Sequence, residues 1–325
     1  TFAGGLVATD QSNTATSIGL AGTINTTATT MQLGDSDTGI RLLGNTTLAT
    51  ANGALDLDGA ITGLGSDDTL TLNAGTGAAA LITSAESITG ITTLTITNSG
   101  GATFEKAVNT SVSVVLTDTD TGDDIIFGNT AGGDLTTATL TVAAQDFDIA
   151  ILENATITNA TTFANTGTLT LGTLAGTADV LTFTGGLVAT AQSNTATSIG
   201  LAGTINTTNT AMQLGDSDTG IRLLGNTTLA TANGALDLDG AITGLGSDDT
   251  LTLNAGTGAA ALITSAESIT GITTLTITNS GGATFDKAVN TSVSVVLTDT
   301  DAGDDIIFGN VAGGDLTTAT LTVAA

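Results

Sequence analysis

The chain is 325 residues long, carries 31 acidic against four basic side chains for a formal charge of −27, and contains no Cys, His, Pro, Trp or Tyr. Without Cys and His it has no thiolate or imidazole ligand for zinc, haem or iron–sulfur clusters, no nucleophile–imidazole dyad and no disulfide. Its only cations, Arg41, Lys106, Arg222 and Lys287, are too few for the clustered basic surface that phosphate binding requires, which excludes nucleic acid as a partner and disfavours anionic lipid.

Mean hydropathy is +0.36, yet no run approaches the roughly 20 consecutive apolar residues of a membrane-spanning helix, so no membrane span is expected. From the N-terminus, the acid pairs Asp35/Asp37 and Asp56/Asp58 come first, set among Gly, Ser and Thr and expected to close turns. A third pair, Asp67/Asp68, precedes Thr69-Leu70-Thr71-Leu72, where Thr alternates with an aliphatic residue. Alternation with period two is the signature of a strand with one buried face. The turn Asn73-Ala74-Gly75 follows, then Thr93-Leu94-Thr95-Ile96-Thr97, the turn Asn98-Ser99-Gly100-Gly101, and further alternating runs at Thr139–Val142 and Thr168–Leu171. Helical periodicity is absent, and a chain without Pro suits unbroken backbone ladders.

From Thr182 the text begins again. Residues 182–325 repeat residues 1–144 without a gap, differing at Ala3/Thr184, Asp10/Ala191, Ala28/Asn209, Thr30/Ala211, Glu105/Asp286, Thr121/Ala302 and Thr130/Val311. Two copies are therefore expected, residues 1–181 and an incomplete 182–325, in an array that continues. Strand-like runs separated by Gly, Asn and Asp turns predict an all-β chain, a parallel β-solenoid of coils of roughly 20 residues, about eight or nine per copy. Tandem β-sandwich domains are the rival, because short strands with frequent turns fit them as well.

The segment from Gly63-Leu64-Gly65-Ser66-Asp67-Asp68 to Ser84-Ala85-Glu86-Ser87-Ile88 resembles the Thr/Ala/Gly-rich bodies of bacterial surface-layer proteins and large repetitive adhesins. Gly122-Asp123-Asp124-Ile125-Ile126-Phe127-Gly128 resembles one half of a glycine-rich calcium nonapeptide, with its copy at Gly303 to Gly309. What the resemblance implies is a secreted protein that assembles at the cell surface and binds calcium.

The densest acidic cluster supplies the candidate metal ligands, Asp118, Asp120, Asp123 and Asp124, with Asp299, Asp301, Asp304 and Asp305 in the second copy. Crowded carboxylates on a Gly turn offer the hard oxygens calcium takes, and the ion relieves their mutual repulsion. The cluster is not an EF-hand, because Asp123 stands where that loop needs Gly and Asn129 where it needs a bidentate Glu. The opposing reading is a solvated acidic turn. Catalysis by paired carboxylates is not expected, since nothing supplies aromatic platforms for a sugar substrate, and no enzyme is predicted. The Thr-x-Thr runs suggest one further possibility, a hydroxyl array facing ice, which requires the pairs to stack on one face at one per coil. Their irregular spacing in the sequence speaks against that.

The functional expectation is a structural repeat of an extracellular filament, sheath or surface layer, whose partners are copies of itself. The alternative is the stalk of a calcium-dependent cell-surface adhesin in contact with a surface glycan or matrix.

Overall fold

A computed structural model describes residues 1–9, 18–65, 67–117, 123–173, 179–192, 195, 198–245, 249–298 and 304–324. All their regular structure is β-strand, and every strand pairing with a defined register is parallel. The fold is a parallel β-solenoid, which removes the sandwich alternative, because sandwiches are built from antiparallel hairpins and Greek keys. Two compact bodies are present, Thr1–Ile157 with Asn165–Gly167, and Thr158–Ala164 with Thr168–Ala325.

In the N-terminal body each coil contributes strands to three faces. On the first face Leu6 pairs with Met31, Met31 with Leu55, Leu55 with Ile82, Ile82 with Ala102 and Ala102 with Ile125. On the second, Ile18 stacks on Ile40, Ile40 on Ile61, Ile61 on Ile88 and Ile88 on Val108. On the third, Thr46 lies beside Leu70, Leu70 beside Leu94, Leu94 beside Val114 and Val114 beside Leu140. Alternation decides which side chains enter. In Thr69–Asn73 and Ile88–Asn98 the Leu and Ile residues are buried while the intervening Thr residues are partly exposed.

The inward columns of the three faces meet in a narrow aliphatic core. Met31, Ile40, Leu55, Ile61, Leu70 and Leu94 are all fully buried. Phe104 and Phe127, register partners on adjacent coils, stack with ring centroids 5.0 Å apart and planes 9° from parallel. Offset ring stacking of this kind adds about 0.5–1.5 kcal/mol to the burial itself.

Coil length is set by the corners. Thr46, Leu70 and Leu94 follow one another at 24-residue steps, whereas Ile88 to Val108 takes 20 and Leu55 to Ile82 takes 27. The typical step is about 24 residues and not the 20 expected, because each turn of chain holds three strands and three corners. The corners absorb the differences while the strands keep register. One corner shows how. Asn52, at φ 83°, accepts backbone N–H bonds from Thr76 and Gly77 of the next coil through its Oδ1, both at 3.0 Å. Beside it, a Cβ on Gly53 would stand 2.3 Å from the Thr29 carbonyl oxygen, so only glycine lets the coils approach there.

The C-terminal body is built by the same rules. Met212 pairs with Leu236 and Leu236 with Ile263 on its first face, Ile221 with Ile242 on its second, and Leu251 with Leu275 on its third. Phe285 and Phe308 stack at 4.9 Å, and Phe163 meets Phe183 edge-on at 5.9 Å. Asn233 repeats the corner of Asn52, at φ 88°, and accepts bonds from Thr257 and Gly258.

Candidate functional site

Of the predicted metal ligands, Asp118, Asp120, Asp299 and Asp301 lie outside the described residues. Asp123 and Asp124 stand at the entrance to the strand Asp124–Phe127, whose alternation buries Ile125 and Phe127 and leaves Asp124 outside. The next coil brings a further acid to the same place. Asp148 is the register partner of Asp124, and its backbone N–H donates to the Asp123 carbonyl at 2.8 Å. A shallow depression of about 250 Å³ adjoins them, its lining including Gly100, Gly101, Asp123, Asp124 and Ile126.

Two carboxylates at strand spacing repel. Partial burial, the charge of Asp148 and a hydrogen bond to it that needs a proton all push the Asp124 carboxyl above its ordinary value of 3.8. In the C-terminal body Asp304 and Asp305 precede the strand Ile306–Phe308, with Asp305 accepting a backbone bond from Ala283. Among the described residues no group of three or more carboxylates is placed to hold a metal ion. Calcium takes six to eight oxygens, so the described acids alone do not make its site.

The weaker acid pairs are occupied in building the coil. Asp35 Oδ1 accepts backbone bonds from Asp37 at 2.8 Å and Thr38 at 2.7 Å, and these bonds, that from Asp37 foremost, hold its carboxyl below the ordinary range. Asp216 does the same with Asp218 and Thr219. Asp68 is buried and accepts from Leu64 and Gly65, while Asp56 and Asp58 accept from Thr83 of one neighbouring coil and Gln32 of the other.

The sequence pointed to the acids, but the structure gives more order to another set. On the outer side of the third face, Thr69 lies beside Thr93, Thr93 beside Ser113 and Ser113 beside Thr139. Two residues along the strands runs a second column of Thr23, Thr47, Thr71, Thr95, Val115 and Thr141. The C-terminal body repeats both, as Thr250, Thr274, Ser294 and Thr320, and as Thr204, Thr228, Thr252, Thr276, Val296 and Thr322. The Thr-x-Thr runs were visible in the sequence. Their alignment was not, because 20 to 26 residues of other strands and corners separate positions that the ladder then brings into register.

No helix among the described residues is long and apolar enough to cross a membrane. Comparison with family models, with curated proteins and with solved structures finds no match for the chain.

Proposed function

We propose that the chain is a structural segment of an extracellular filament, sheath or surface layer, lengthened by copying a module of 181 residues and assembling with copies of itself. The observation that carries this reading is the backbone ladder itself. Each coil is held to the next by parallel pairing on three faces, so a coil is both a finished layer and a template for another.

The copying is consistent with this. Among the described residues, none of the positions at which the copies differ is an inward aliphatic residue of a strand, so both present the same strand core to a neighbouring coil. A cell-surface location belongs to the proposal, supported by the resemblance to repetitive surface proteins; a composition free of cysteine is compatible with it. Calcium belongs to it as well, supported by the repulsion at Asp124 and Asp148, which a divalent cation relieves.

Sedimentation velocity of the 325-residue protein over a range of concentrations, with calcium and with a chelator, tests the reading. Mass that grows with concentration is the expected result, and a shift toward larger species with calcium assigns the acidic corner to assembly. A single species at every concentration in both conditions contradicts self-assembly and favours the adhesin stalk.

A further inference from the structure

We propose that the outer side of the third face is an ice-binding surface, its ligand the regular water lattice of a crystal plane. The inference does not depend on the chain forming a filament.

The first ground is spacing. Neighbouring strands of a sheet lie about 4.8 Å apart and residues i and i+2 of one strand about 6.6 Å apart. The two columns therefore form a near-rectangular grid, with complete Thr pairs at Thr69/Thr71, Thr93/Thr95 and Thr139/Thr141 and single Thr residues at Thr23 and Thr47 on the coils before them. In the N-terminal body the longer column, from Thr23 to Thr141, covers five strand intervals, about 24 Å. Both spacings are close to oxygen repeats in ice, so water bound at the hydroxyls and along the methyl groups between them is already arranged as a crystal layer. Threonine suits this because its β-branch leaves few rotamers, and its methyl and hydroxyl stay in fixed directions.

The second ground is charge. In a chain of net charge −27, none of the strand segments on this face in either body carries Asp, Glu, Lys or Arg. The described acids discussed above sit at corners or on the first face. Ionised groups orient water around themselves and break a lattice, so a neutral patch on an otherwise acidic molecule matches a neutral crystal surface. The face also lacks Tyr, Trp and Arg, the side chains that anchor protein interfaces.

The third ground is the pattern of interruptions. Ser113 keeps the hydroxyl and loses the methyl, and it bonds the Thr93 hydroxyl at 3.1 Å; Val115 keeps the methyls and loses the hydroxyl. Both fall on the same coil, and Ser294 and Val296 repeat them, with Ser294 bonded to Thr274 at 3.1 Å. Threonine at Val115 and Val296 fills these two interruptions of the second column, which makes the proposal testable by gain as well as loss.

The experiment uses the full 325-residue protein, with ice-growth arrest measured by osmometry on single crystals and adsorption measured on a polycrystalline ice surface. The wild type should shape ice and adsorb to it. The double variant Thr71→Tyr/Thr252→Tyr should lose at least about tenfold in growth arrest, Val115→Thr/Val296→Thr should gain, and Thr136→Tyr, on the outer side of the second face, should leave activity unchanged. Circular dichroism and melting of each variant separate loss of the surface from loss of fold. Absence of growth arrest and adsorption in the wild type overturns the proposal, as does equal activity of the Thr71→Tyr/Thr252→Tyr variant. An inactive wild type whose sedimentation is changed by that variant also overturns it, and makes the face a contact between copies.

Discussion

Several side chains do work that composition alone conceals. Asn52 sits in the left-handed region and bonds two N–H groups of the next coil. Replacing it by Ala removes both acceptors and strains the backbone, so Asn52→Ala should cost about 1–3 kcal/mol in urea denaturation. The copies themselves suggest a stabilising change. Ala28 holds φ 50° where the second copy has Asn209 at φ 55°, and the Asn209 Oδ1 accepts a bond from Asn233 Nδ2 at 3.3 Å. Asn tolerates that conformation better than Ala, so Ala28→Asn should stabilise by about 0.5–1 kcal/mol in the same measurement.

Asp124 works in the opposite sense to Asp35. Its carboxyl holds a proton more tightly in the folded chain than in the unfolded one, so its ionisation weakens the fold, and stability returns as pH falls from above its raised folded value toward 3.8. Asp35 and Asp216, whose values are lowered, contribute stability above the ordinary value that is lost as pH falls through their folded values. Asp124→Asn should therefore stabilise the fold at pH 7, seen as a raised thermal midpoint, by less than about 1 kcal/mol because the partly exposed side chain is screened by solvent, and should have no such effect near pH 2. A lowered midpoint at pH 7 would mean that the Asp124 charge is compensated, as by a bound cation.

At the scale of elements, the long alternating strands and the turns marked by Asn, Gly and Asp35 were legible, and the short strands were not. Thr69–Asn73 and Ile88–Asn98 announce themselves by alternation, and both are strands with their aliphatic residues inside. Leu55–Leu57 and Ile61–Gly63 are three residues each, too short for a pattern to show, and parallel pairing leaves no local trace because alternation reads the same in either direction. The coil length was missed for the same reason, since counting only the conspicuous runs overlooks the short strands of the other faces. Of the candidate site, the acidic corner at Asp123 and Asp124 was legible, but Asp148 was not, because it reaches that corner only through the register of Asp124–Phe127 with Asp148–Ile151.

Close coil contacts make two predictions at this scale. A Cβ on Gly63 would stand 2.1 Å from the Gly90 carbonyl oxygen on the adjacent coil, so Gly63→Ala must force the ladder apart and should destabilise by about 1–3 kcal/mol or more. Phe104→Ala removes a fully buried ring from the stack with Phe127 and should cost about 3–5 kcal/mol. Hydrogen exchange should localise the first effects to the coils in contact, since a solenoid layer touches only its neighbours.

For the molecule as a whole, the central tension is between a ladder that invites further coils and a charge of −27 that opposes them. On the proposed assembly, copies should repel at low ionic strength and approach once salt or a divalent cation screens the acids. Assembly should therefore strengthen between about 0.01 and 0.15 M salt, where the screening length falls from about 30 Å to about 8 Å. The most direct test of the structural role is electron microscopy of the purified protein at physiological salt, imaged with calcium and after chelation. Ordered filaments or sheets whose diffraction carries a repeat of about 4.8 Å, the spacing of stacked coils, are the predicted result. Isolated single particles in both conditions would contradict it.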